Sequence, residues 1–304
     1  MALVTGCHFP GRLAIDSTSL YWTDVSAGTV NQTPLNPAPG RVLAAMRMFP
    51  TGIAVDSARV FFTDQATVSQ TALVGGPATV VAPLLNQGES LSIDAQDAYW
   101  LDLNDDALWT APLAGGSPTS LASSPPTGVI GASGHSIALD DASVYWTGGR
   151  ETEGASDGVV LKIAKGGGSA PTILVSAQND PTCLAIANGS VFWVNAGFEG
   201  PIVSNVSLDG GPVTTLVPGS AGHSLGGTGL AVDDSNIYWT TSEVGLNNGT
   251  VNRAGLGGEA PTVLASGQPT PAFVVVDATD IYWANLGACE TSDPNVGAIM
   301  KLAK

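Results

Sequence analysis

The chain has 304 residues, with 26 Asp and Glu against 10 Lys and Arg, a formal net charge of −16, and only 12% charged residues beside 38 Gly and 20 Pro. So few and so scattered basic side chains exclude a nucleic-acid partner, because phosphate neutralisation needs clustered cations. A mean hydropathy of +0.22 comes without any apolar run long enough to span a bilayer, and the Gly and Pro content describes short strands and tight turns rather than long helices.

From the N-terminus, one pattern recurs: an apolar run, Asp, a four-residue turn, an apolar residue and two aromatics. The copies are LAIDSTSLYWT, IAVDSARVFFT, LSIDAQDAYWL, IALDDASVYWT, LAIANGSVFWV, LAVDDSNIYWT and VVVDATDIYWA. The Asp position falls at Asp16, Asp56, Asp94, Asp140, Ala187, Asp233 and Asp277, with spacings of 40, 38, 46, 47, 46 and 44, the period of a blade array. Counting from Asp277 off the end and back in to Asp16 gives 43, so the period survives the jump across the termini and the array closes on itself. Repetition overrides length as a guide to domain number, and residues 1–304 are expected to form a single domain.

Within each copy the alternation is period two, with β-branched and aromatic residues, which gives strands A and B. A third alternation, usually opened by Gly as in Gly28-Thr29-Val30 and Gly249-Thr250-Val251, gives strand C. Gly-Gly pairs such as Gly75-Gly76 and Gly210-Gly211 then mark a tight turn into strand D. Four antiparallel strands taken seven times predict an all-β, seven-bladed β-propeller. The last copy lacks strand D, and residues 2–6 match that strand in the other copies. The N-terminus is therefore expected to complete the last blade and close the ring.

Tyr21-Trp22-Thr23-Asp24 resembles the YWTD propellers of lipoprotein-receptor ectodomains and, more broadly, bacterial propellers with an "AVD…(V/I)YW" repeat. The resemblance covers the whole chain and implies a propeller. It departs from the receptor family in blade number, since those propellers have six, and the full tetrad survives once here, so receptor function is not carried over. The second aromatic of each copy, from Trp22 to Trp283, reads as core between blades rather than as a ring of stacking platforms. The repeated Asp reads as a turn residue rather than a calcium ligand.

Function has to be argued from where the repeat breaks. The distance from the Asp position to the second aromatic is 6 in every copy, so the A-to-B end is invariant. From that aromatic to the residue opening strand C it is 8 for Trp22 to Val30 and 6 for Phe62 to Val68, but 13, 12 and 16 in copies four, six and seven. Length variation thus belongs to the end that carries the B-to-C and D-to-A connections, weighted to blades 4 to 7, and binding is expected there. All three histidines and all three cysteines map to that end: Cys7, His8, His135, Cys183 and His223 in D-to-A connections and Cys289 in a B-to-C loop. Arg12, Glu89, Glu151, Glu153, Asp157, Asp180, Glu199, Glu243 and Glu290 join them.

Two functions compete on these residues. One is a non-enzymatic propeller, monomeric, that binds a protein or small-molecule ligand on the long-loop face. The other is a lyase or hydrolase with a His/Glu site at the mouth of the central channel. That alternative draws on the likeness to propeller lyases of the streptogramin-inactivating type and to lactonases, which use His and Glu with a divalent cation. Candidate catalytic residues are His135, His223, Glu89, Asp180 and Cys183; candidate ligands for a divalent metal are His8, His135 and His223. Cys7 and Cys289 fall in adjacent connections and are a candidate disulfide. The first 30 residues lack the basic and apolar stretches of a signal peptide, as a mature extracytoplasmic protein, secreted or periplasmic, also would.

Overall fold

The computed structural model describes residues 1–36, 38–84, 88–102, 107–122, 136–148, 157–197, 202–219, 229–242, 248–287 and 297–304. Among them there is no helix, and the strands form seven four-stranded antiparallel sheets, each in the order A-B-C-D. The innermost strands are Pro10–Ile15, Ile53–Val55, Gly88–Ile93, Ile137–Leu139, Pro181–Ala187, Leu230–Val232 and Pro271–Val276. Each touches the innermost strands of both neighbouring sheets, including the last with the first. The fold is a closed seven-bladed β-propeller around a central channel, and no described helix is long and apolar enough to cross a membrane.

Closure is made by the N-terminal strand, Ala2–Cys7, which pairs antiparallel with Gly297–Ala303 of blade 7. The Lys301 N–H donates to the Met1 carbonyl at 2.9 Å, and the N-terminal ammonium donates to the Lys301 carbonyl at 2.8 Å. Cys7, expected in the connection after this strand, belongs to the strand itself. A register shift between Thr5 and Cys7, with Gly6 at φ +78°, lets the ladder resume with Cys7 opposite Gly297.

Strand B is what holds blade to blade. Its two successive aromatics point to opposite faces of the sheet, as period two requires, so each blade offers one aromatic to each neighbour. Tyr21 packs with Phe62, Phe61 with Trp100, Tyr99 with Trp146, Tyr145 with Trp193, Phe192 with Trp239, Tyr238 with Trp283, and Tyr282 with Trp22 at the seam. The second aromatics are between 0% and 5% exposed, which makes them inter-blade core and leaves no stacking surface. Each pair buries its rings within a small aliphatic cluster, so the apolar core is seven wedges rather than one mass.

The repeated Asp fastens this arrangement at the A-to-B end. In Asp140, one carboxylate oxygen accepts the N–H groups of Ala142 and Ser143 at 2.8 and 2.6 Å, and the other accepts the Tyr145 hydroxyl at 2.7 Å. Asp16, Asp94, Asp233 and Asp277 repeat the pattern with Tyr21, Tyr99, Tyr238 and Tyr282. The two copies with Phe in place of Tyr depart from it. In blade 2, Arg59 takes the second oxygen of Asp56. In blade 5 the Asp is Ala187, and the turn is made instead by Asn188 and Gly189 at φ +48° and +72°.

Burial acts to raise these carboxyls, but turn amides together with tyrosine hydroxyls, the Arg59 guanidinium at Asp56, or lysine ammoniums at Asp94 and Asp233 outweigh it, so Asp16, Asp56, Asp94, Asp140, Asp233 and Asp277 all titrate below the ordinary carboxylate range. At Asp94 the ammonium of Lys165, 2.9 Å away on the next blade, takes the value down to about 2.

The folded values lie below the unfolded ones, so this stability is complete above the ordinary carboxylate value and is lost as pH falls through the folded values. Asp94→Asn is expected to cost about 1 kcal/mol at neutral pH, allowing for solvent screening of a partly exposed pair. It should also flatten the acid limb between about pH 4 and 2, measured by urea unfolding across that range; a wild-type acid limb in the variant would contradict the assignment. Removal of residues 1–7 is expected to bare the edge of Gly297–Ala303 and open the seam cluster. Thermal unfolding should drop sharply and light scattering should show association, whereas an unchanged melting temperature would mean that this strand does not close the ring.

Candidate functional site

The two ends of the ring differ in what their polar groups are committed to. At the A-to-B end the Asp carboxylates are consumed by turns. At the other end the B-to-C and D-to-A connections leave the ring, and there the structure describes blades 1 and 2 in most detail. His135, His223, Cys289, Glu151, Glu153, Glu199, Glu243 and Glu290 lie outside the described residues, as do the longest connections of blades 4, 6 and 7.

Around the channel, toward this end, the inner strands of four blades are bulged. Register shifts fall between Pro10 and Leu13, Gly88 and Leu91, Pro181 and Cys183, and Ala272 and Val275. A bulge inserts a residue against a continuous partner and re-aims its side chain. Here Arg12, Ser90 and Phe273 lie in the bulges and Cys183 immediately after one. All four line a cavity of about 280 Å³ in the channel, together with Ser136, Gly229 and at least one aliphatic residue from each inner strand. Gly11 is required beside Arg12, because a Cβ there would stand 2.4 Å from the Thr23 hydroxyl. Phe273 holds φ +51°, a left-handed conformation that costs a bulky residue on the order of 1–3 kcal/mol.

The guanidinium of Arg12, on blade 1, lies 5.6 Å from the ring centroid of Phe273, on blade 7. Its charge is also felt by Cys183 on blade 5. Burial pushes the Cys183 thiol up to about 11, with Arg12 acting in the opposite direction. Arg12, Ser90 and Cys183 are each engaged in a further interaction.

Of the residues expected at a site, the structure therefore brings Arg12 and Cys183 to one cavity. Cys183 was expected in a connection and lies instead within strand Pro181–Ala187, because the bulge lengthens the inner strand beyond its apolar run. Glu89 likewise sits in strand Gly88–Ile93. Asp180, at φ +54°, precedes strand A of blade 5, and its carboxylate raises the nearby Cys183. His8 is exposed, with its N–H on Asp24 at 2.9 Å. Among the described residues no three His, Cys, Asp or Glu side chains gather as a metal-ligating group. Phe273, Ser90 and Ser136 were not expected at the site; the only sequence signal for them is their place four residues before the repeated Asp position, shared with Arg12 and Cys183.

A second feature of this face stands on the D-to-A connection between blades 1 and 2. Arg47 turns inward, where it pairs with Asp64, bonds the hydroxyls of Thr67 and Ser69 at 3.2 Å, and lies 5.1 Å from the Phe62 centroid. Its neighbours turn outward: Met46 is 97%, Met48 61% and Phe49 52% exposed. Met46 and Phe49 hold φ +57° and +49°, so the display is built into the backbone. The Arg47 N–H donates to the Gly28 carbonyl at 2.9 Å, and a Cβ on Gly28 would meet the Arg47 carbonyl at 2.5 Å. On the other side of that same B-to-C loop, Val25 N–H donates to the carbonyl of Phe9, itself 39% exposed. Asp24, the last residue of the YWTD tetrad, binds the segment down by accepting the N–H groups of His8, Phe9 and Ala27 at 2.9, 3.1 and 3.0 Å.

Thiol chemistry separates these environments. Cys7 is a free thiol, buried in the seam cluster and pushed up to about 12 by burial and by Asp24, while Cys183 opens on the cavity. Iodoacetamide is expected to modify Cys183 before Cys7, with a rate rising about tenfold per pH unit below the thiol's pKa, read by peptide mass mapping; faster labelling of Cys7 would contradict the burial. The Cys7–Cys289 bridge has one end outside the described residues. Thiol counting in denatured, air-oxidised protein should give one thiol if it forms, and three would set it aside.

No protein-family model matches the chain, and no curated protein matches it by sequence. Solved structures match it by shape. A streptogramin B lyase aligns with a TM-score of 0.71 and 12% identity over 99% of this chain and 96% of that one. The WD40 propeller domain of Doa1 aligns with a TM-score of 0.68 and 12% identity over 99% and 95%. A chain of a nidogen/laminin complex aligns with a TM-score of 0.58 and 17% identity over 79% and 90%. At these identities the likeness is one of fold: the chain shares the propeller ring with both an enzyme and proteins of other kinds.

Proposed function

We propose that this protein is a non-enzymatic binding propeller that docks a protein partner on the face of the B-to-C and D-to-A connections. The observation that carries the reading is the outward display of Met46, Met48 and Phe49 by a loop whose only cation is turned inward and paired. Full burial of such a side chain is worth roughly 1.5–3 kcal/mol, nearly all of it forgone at Met46 and about half at Met48 and Phe49, and the loop holds them out by the positive φ angles of Met46 and Phe49 and by the Arg47 contacts. Met and Phe are favoured at the centres of protein interfaces, and Phe9, 39% exposed on the other side of the intervening loop, adds apolar surface to the same face. The partner should carry an apolar patch rimmed by Lys or Arg, complementary to a chain of net charge −16. An extracytoplasmic setting fits this reading, and the enzymatic alternative rests on His135 and His223, outside the described residues.

A captured partner, purified and measured directly, is expected to bind the triple variant Met46→Ser, Met48→Ser, Phe49→Ser at least tenfold more weakly. Its association with the wild type should slow as salt is raised. Asp234→Ser, on the opposite face, serves as the control and should leave both unchanged. Equal affinity for the triple variant, or an acidic contact surface on the partner, would overturn the proposal.

A further inference from the structure

The display loop carries a sulfur chemistry that its docking role does not use. The chain has four methionines, and two of them, Met46 and Met48, stand on either side of Arg47 in this loop. Met46 is 97% and Met48 61% exposed, whereas Met300 packs against the cluster between blades 6 and 7. Met1 is also exposed, but it precedes the start of its strand, on the face of the A-to-B turns. The backbone between the two loop thioethers is bonded down: the Arg47 N–H donates to the Gly28 carbonyl and the Gln65 N–H to the Met48 carbonyl, both at 2.9 Å. Neither side chain belongs to an inter-blade cluster, so a change at either sulfur is confined to the surface.

A thioether needs access to an oxidant but no deprotonation, whereas a thiol reacts with peroxide through its thiolate. Burial pushes Cys7 up to about 12 and Cys183 up to about 11, so at neutral pH both described cysteines are held as thiols. We infer that Met46 and Met48 are a hydroperoxide-sensitive modification site whose sulfoxides release the protein partner, an inference that rests on the docking reading. In the step, a sulfur lone pair attacks one peroxide oxygen and the S–O bond forms as the O–O bond breaks. The departing hydroxide takes the proton from the transferred oxygen and becomes water; sulfur gives up two electrons and the peroxide receives them. The product is a polar sulfoxide where docking needs apolar surface. A reductase that draws two electrons from a dithiol reverses it, leaving a disulfide and water.

The probe is hydrogen peroxide, applied at neutral pH to the intact chain. Peptide mass mapping should place one oxygen on Met46 and on Met48 before any reaches Met300, Cys7 or Cys183. The oxidised protein is expected to elute earlier from a phenyl matrix, to keep the wild-type melting temperature, and to bind the partner captured for the docking measurement about tenfold more weakly. Methionine sulfoxide reductase with dithiothreitol should restore that binding. The double variant Met46→Leu, Met48→Leu conserves volume without sulfur; it should bind the partner normally and lose the response to peroxide, although it still carries Met1. Earlier oxidation of Met300 or of either thiol, a lowered melting temperature, or a double variant that peroxide still weakens would overturn the inference. Full partner affinity in the oxidised protein, with the triple serine variant impaired, would sink the switch and leave the docking surface standing. Equal affinity in the triple serine variant would remove both.

Discussion

The structure depends on one arrangement repeated around the ring: two consecutive aromatics on strand B, one for each neighbouring blade, with the first held at its far end by the Asp of its own turn. A β-strand must send successive side chains to opposite faces, so a blade with paired aromatics is sticky on both sides by construction. The Asp–Tyr bond then sets where along the strand that stickiness lies, because the carboxylate that orders the turn also fixes the phenol. Blades 2 and 5 show that hydroxyl and carboxylate act as a unit. When Tyr becomes Phe61, the Asp56 oxygen that would have received a hydroxyl is taken by Arg59; when it becomes Phe192, the Asp is gone and backbone conformation makes the turn.

That commitment leaves the ring with two unlike ends. At the turn end the repeated carboxylates, Asp16, Asp56, Asp94, Asp140, Asp233 and Asp277, are spent on local geometry. At the connection end the buried acids Asp24 and Asp64 close off incoming segments instead, one by taking backbone amides and the other by capturing Arg47. The connections described there are consequently anchored, and their exposed apolar side chains are held in place rather than free to fold inward. Burial is denied to Met46 and Phe49 by their neighbours' polar bonds, a local conflict of the kind that accompanies binding surfaces more often than packing needs.

Much of the ring could be read from residue spacing, since the constant interval between each Asp and its second aromatic is the geometry of the turn and strand that the structure contains. Even the blade completed from both ends of the chain followed from matching Leu3-Val4 to Leu264-Ala265. The bulges could not be read. A bulge exists only relative to the partner strand, and nothing in Gly11-Arg12 states that two residues will face Thr23 alone. Arg12 and Cys183 were therefore grouped by the end of the blade they occupy, without the cavity that joins them, and Phe273 looked like one more apolar residue of strand A. Arg47 was silent for a similar reason: its inward turn depends on Asp64, which belongs to the next blade.

The seam between blades 7 and 1 differs from the other six interfaces in the length of chain it joins, with pairing partners 300 positions apart. Six wedges can assemble from neighbouring segments, each closing a loop of one period. The seventh must bring the two extremes of the chain together, and the entropy of that closure grows with the logarithm of the enclosed length. Until it forms, the molecule is an open arc. Tyr282 and Trp22 face water, and the unpaired edge of Gly297–Ala303 is a template that the N-terminal strand of a second copy fits as well as its own. Intramolecular closure wins only while the local concentration of the chain's own strand exceeds that of its neighbours', so the yield of closed rings is a kinetic quantity that falls with protein concentration during folding even though the closed ring itself does not depend on it.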